Sequence, residues 1–89
     1  MPQVIVNSRE LRRFSVLLIE AEREMRGKST LTSQRFDELK KVWRDVKMKE
    51  FEPQFSTAMR ELELFAKAAA DYARYLDEKA ARADRFLSR

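Results

Sequence analysis

From Phe55 to the end of the chain, apolar residues stand in columns seven positions apart. Phe55, Leu62, Ala69, Leu76 and Ala83 form one column. Ala58, Phe65, Tyr72 and Phe86 form a second, interrupted at Lys79, and Met59, Ala66, Ala73, Ala80 and Leu87 form a third. Seven residues are close to two turns of α-helix, so each column is a stripe along one helix. A seam between two helices uses two stripes; three make an apolar face more than about 100° wide. The extra stripe therefore calls for a neighbour beyond one antiparallel helix. The residues at 59, 66, 73 and 80 are expected to lie against a companion chain, and the alanines around 66 to 73 allow a helix to approach closely.

The first half of the chain reads as the antiparallel helix. Asn7 looks like an N-cap, with Glu10 placed to reach back to the cap's own amide and Val6 placed to staple onto Leu11. Arg9, Arg12 and Arg13 oppose this assignment, since cations near a helix N-terminus are unfavourable. Leu11, Phe14, Leu18, Ala21 and Met25 then follow at helical spacing and predict the seam on this side. Val16, Leu17, Leu18 and Ile19 are consecutive, so one partner helix cannot cover them all. From Arg26 to Arg35 the pattern lapses, because the same register would put Lys28, Thr32 and Arg35 in the core. Either the helix breaks at Gly27 and restarts from Ser29, Thr30 or Thr32, or it continues with a bend. Glycine costs only ~1 kcal/mol in a helix interior, which favours continuity. Phe36, Leu39, Val42 and Trp43 restore an apolar face.

Between the two periodic segments the chain must reverse, around Trp43-Arg-Asp45 and on to Phe51. Asp45 is the natural cap for the second helix. Pro53 removes a hydrogen bond and clashes one turn back, so a bend near it is expected. One glycine and two prolines in 89 residues are too few turn formers for a sheet protein, and 44% hydrophobic with 38% charged residues suits long helices. The predicted organisation is one domain: an arm over 1–6, helix 1 over about 8–41, a turn over about 42–46 and helix 2 over about 47–87. The fold class is all-α, an antiparallel two-helix hairpin pairing into a four-helix bundle.

Composition narrows the chemistry. The sequence contains no cysteine and no histidine, which removes thiolate chemistry, the commonest general base and the usual nitrogen ligand for zinc. Gly27-Lys28-Ser29-Thr30 copies the end of a phosphate-binding loop, but Glu22 stands where the motif needs its first glycine. Glu20 and Glu24 lie one turn apart, off the seam, and bundle di-iron sites also need histidine. No catalytic, cofactor-binding or metal-binding residues are assigned, no small-molecule substrate is implied, and the chain is expected not to be an enzyme. Net charge is +4. Lys40, Lys41, Arg44, Lys47 and Lys49 crowd the turn, making Arg44, Lys47 and Lys49 candidates for anion binding beside Trp43. The blander expectation is that Trp43 packs inward on Phe51, with Asp45 and Glu50 diluting the patch.

No apolar run approaches the ~20 residues of a membrane span. The opening lacks the basic and apolar regions of a secretory signal peptide. The protein is expected to be cytoplasmic, or secreted without a cleavable signal peptide.

A tryptophan at the turn of a short helical hairpin, with an aromatic eight residues on, resembles the WXG family of ESAT-like substrates of type VII secretion. Trp43 and Phe51 carry that resemblance, together with the entry to the first helix, Val-Ile-Val-Asn-Ser-Arg-Glu-Leu-Arg-Arg-Phe. Asp45 replaces the motif's glycine, which is similar to a divergent branch of WXG-like proteins. The family's export signal, a tyrosine followed four residues later by an acid in a tail, is not matched: Tyr72 is followed by Leu76 and Tyr75 by Lys79. The resemblance implies pairing of hairpins, and a role as a secreted protein, adaptor or structural partner.

The expected partner is a second copy of the chain or a similar hairpin, met through Leu11, Phe14, Leu18, Phe55, Met59, Leu62, Phe65, Ala66, Ala69, Tyr72, Ala73 and Leu76. The alternative is a basic helical module that binds nucleic acid or an acidic protein.

Overall fold

A computed structural model describes residues 7–87, and in it the chain forms two α-helices, α1 (Ser8–Lys40) and α2 (Val46–Leu87), joined by a short turn. Asn7 starts α1: it sits in extended conformation and its side-chain oxygen accepts from the Glu10 amide at 3.2 Å. The return half of the expected capping box is not made, because the Glu10 carboxylate pairs with Arg13 at 3.1 Å instead. That contact, and the bridge from Arg12 to Asp84 at 2.6 Å, answer Arg12 and Arg13 among the cations that crowd this N-terminus. The expected arm and the Val6 staple lie outside the described residues.

α1 runs through Gly27 without a break. A Cβ built on Gly27 meets nothing within 4 Å, so the glycine serves no close approach. Gly27→Ala is expected to stabilise the protein by about 0.5–1 kcal/mol, through the lower entropy of the unfolded chain and better helix propensity. Urea denaturation followed by circular dichroism checks this, and a loss of stability would mean that the chain needs glycine's freedom at this position.

The reversal uses no residue at positive φ among the described residues. α1 ends with the amides of Val42 and Trp43 both bonded to the Leu39 carbonyl, at 3.0 and 2.8 Å. Asp45 then opens α2, its carboxylate accepting from the Met48 amide at 3.1 Å. A capping aspartate thus does at this turn what glycine's conformational freedom does elsewhere. Pro53 lies within α2, past its first turn, so the helix forgoes the bond that an amide at this position would donate to the Lys49 carbonyl.

The two helices form a single layer, 66 × 26 × 13 Å. Its radius of gyration is 19.8 Å, against about 12 Å for a compact chain of this length. The interior is thin. Among the described residues the buried side chains are Phe36, Ala66, Ala69, Ala73, Ala80, Ser15 and Glu22. Most of the larger apolar side chains are only half covered or are open to solvent.

Candidate interaction surface

The α2 side of the seam is made by the columns Phe55, Leu62, Ala69, Leu76, Ala83 and Met59, Ala66, Ala73, Ala80, all buried or half-buried. This corrects the expectation that the column through 59, 66, 73 and 80 awaits a companion chain; α1 of the same molecule covers it. The column left outside is the one through Ala58, Phe65, Tyr72 and Phe86. Alanines explain the choice, since a stripe of small side chains lets two backbones approach more closely than an aromatic stripe does.

The α1 side is shifted accordingly. Leu11, Leu18 and Met25 face α2 as expected, but the positions between them are taken by Ser15 and Glu22, not Phe14 and Ala21. Ser15 donates from its hydroxyl to the Ala73 carbonyl at 3.1 Å, in a place too narrow for a phenyl ring. Glu22 accepts from Arg26, which also reaches Glu63 across the seam at 3.2 Å. Continuing this register brings in Ser29, whose hydroxyl lies 3.5 Å from the Met59 sulfur, and then Phe36. Lys28, Thr32 and Arg35 are exposed, so the core pattern does not lapse after Arg26 at all.

Of the expected interface residues, Leu11, Leu18, Phe55, Met59, Leu62, Ala66, Ala69, Ala73 and Leu76 therefore pack within the hairpin, while Phe14, Phe65 and Tyr72 face outward. Ser15 and Glu22 were hidden from sequence reasoning by their polarity. The signal that finds them is the alanine column opposite, which demands small or snorkelling partners.

Aromatic side chains close the turn end. Phe36 meets Phe55 at 4.6 Å and Phe51 at 5.6 Å between centroids, and Trp43 meets Phe51 at 6.2 Å. Trp43, Asp45 and Phe51 are thus brought together, with the indole half-buried on Phe51. Lys40 spans the end of the seam: its ammonium lies 5.3 Å above the Phe36 ring and 2.9 Å from Glu52. The hydrogen bond to Glu52 holds its pKa above the ordinary lysine range despite some desolvation. Of the candidate anion-binding residues, Lys47 pairs with Glu50 at 3.4 Å. Arg44 and Lys49 are exposed and have no carboxylate partner among the described residues.

The layer has two unlike faces. On both helices the residue after Leu11, Met25, Leu62 or Ala83 lies on one side; the ion pairs Arg12–Asp84 and Arg26–Glu63 cross the seam there. Hydrogen bonds from Ser8 and then Arg12 hold the Asp84 carboxyl below the usual carboxylate range. The residue before Ser15, Glu22, Ala66 or Ala73 lies on the other side, where Phe14, Ala21, Phe65 and Tyr72 stand, with Lys28, Glu61 and Lys79 in the same register farther along. Phe14 and Phe65 are each 55% exposed and Tyr72 is 64% exposed. Leu17 and Tyr75 extend the same face at its edges.

Among the described residues no group of three or more Asp or Glu is placed to hold a metal ion, and no helix is long and apolar enough to cross a membrane. The fold defines a two-helix hairpin with one face crossed by ion pairs and an opposite face that carries an aromatic patch. Comparison with protein-family models, with curated proteins and with solved structures finds no match to this chain.

Proposed function

We propose that this chain is a non-enzymatic helical hairpin that acts by helix–helix association, pairing with a second copy or a similar hairpin as a four-helix bundle. The observation that carries this is surface. The chain exposes 7465 Å², whereas a compact protein of its mass exposes about 5,500 Å². Stable domains pack at least two layers of secondary structure, and this chain supplies one. The turn built from Trp43, Asp45 and Phe51, with its aromatic pair in contact, supports placing the chain beside the WXG-like hairpins it resembles. Its role would then be that of a type VII-like secretion substrate or adaptor.

The alternative, a basic module for nucleic acid or an acidic protein, draws on Arg44 and Lys49. It is the weaker reading, because the Trp43 indole is half-buried beside Phe51, which leaves less of it open for base stacking.

Size-exclusion chromatography with light scattering at micromolar concentration tests association directly. The expected mass is twice the 10.6 kDa of one chain. A folded, stable monomer that also ignores similar hairpins would defeat the proposal.

A further inference from the structure

Resting on that reading, we infer that the partner is a second copy of this chain, and that the two copies meet through the face bearing Phe14, Leu17, Phe65 and Tyr72, leaving the ion-paired face in water. The area fits. Each chain shows roughly 2,000 Å² more surface than a compact fold of its mass, and a standard interface takes only about 800 Å² from each partner. One face of a layer 66 Å long and 26 Å wide supplies that easily.

The two faces differ in what covering them costs. Arg12, Asp84, Arg26 and Glu63 already satisfy one another across the first face with their side chains largely solvated. Stacking a second layer there would desolvate those charges for little Coulombic return. The opposite face has no ion pair crossing the seam among the described residues. Beside the charged Lys28, Glu61 and Lys79 it presents a patch of aromatic side chains alternating with small ones: Phe14 before Ala21 on α1, and Ala58, Phe65, Ala68 and Tyr72 on α2. Such a surface complements a copy of itself, since large side chains of one copy fill the recesses over the alanines of the other. Aromatics at the centre of a patch are also the side chains that dominate binding energy.

Phe65→Glu and Tyr72→Glu place a charge on this face, at positions exposed enough to leave the hairpin itself intact. Leu64→Glu and Val16→Glu make the same chemical change at exposed positions away from it. Sedimentation equilibrium should show the dimer Kd raised by roughly 30-fold or more in each of the first two variants, the scale of a central hot spot. The controls should stay within a few-fold of wild type, with helicity by circular dichroism unchanged in all. A dimer that survives Phe65→Glu and Tyr72→Glu, or that is broken by Leu64→Glu or Val16→Glu, overturns the face while leaving association standing. A wild type that is monomeric at every concentration overturns self-pairing altogether, and binding of a similar hairpin then decides whether the broader reading survives.

Discussion

Phe36→Ala should cost about 3–5 kcal/mol of folding free energy, the usual range for removing a phenyl ring from a packed interior. Phe36 is the one large apolar side chain buried among the described residues, at 7% exposure. Its ring contacts Phe55 and Phe51, and Phe51 in turn carries Trp43, so it is the inner member of the cluster that ties the turn to both helices. The rest of the seam is alanine, serine and half-covered aliphatic side chains, which bury little area each. Total stability for a domain of this size is only about 5–13 kcal/mol, so the loss would consume a large share of it. Urea denaturation at fixed protein concentration reads the effect, the concentration being held because the proposed pairing would add to apparent stability. Phe51→Ala is the comparison: its ring is 42% exposed and should cost clearly less. A Phe36→Ala loss below about 1 kcal/mol would mean the aromatic cluster does not hold the turn end closed.

The sequence made the architecture legible where local chemistry and periodicity agree. Asn7 and Asp45 announce helix starts through a side-chain oxygen three residues before an amide, and both hydrogen bonds form. The spacing from Phe55 onward reveals one long helix because no other structure repeats at seven residues. The phase of α1 was not legible. Phe14 and Ala21 look like seam residues and Ser15 and Glu22 do not, because hydrophobicity alone cannot see that the facing surface is alanine. Once α2 presents Ala66 and Ala73, distance of approach outweighs apolarity. A serine able to bond the Ala73 carbonyl fits where phenylalanine cannot. The same one-residue shift explains why the stretch around Lys28 read as an interruption. Three apolar stripes exceed what one neighbouring helix covers; which of them stays outside the hairpin depends on side-chain size, a property of the pair of helices and not of either alone.

Ala73→Leu tests that packing at its tightest point. Ala73 is 1% exposed, and its carbonyl accepts the Ser15 hydroxyl at 3.1 Å. Leucine adds three carbons where the two helices already touch. The added volume must be met by separating the helices or by strained rotamers, at about 1–3 kcal/mol for overpacking. Separation also breaks the hydrogen bond from Ser15, leaving a hydroxyl in a place that water reaches poorly, with a further cost of about 1–3 kcal/mol. The Ala73 carbonyl suffers less, because its helical partner remains. The expected sum is about 2–6 kcal/mol, read as a lowered urea midpoint at constant slope. Tyr72→Leu, one position earlier and on the exposed face, should leave the stability of the isolated hairpin nearly unchanged and act instead on pairing. This contrast separates the two roles that adjacent columns of α2 are assigned: Ala73 governs how closely the chain folds back on itself, and Tyr72 governs what it can meet afterwards. If Ala73→Leu proved neutral while Tyr72→Leu unfolded the hairpin, the seam would run through the aromatic column, and both the register of α1 and the choice of outward face would have to be reversed.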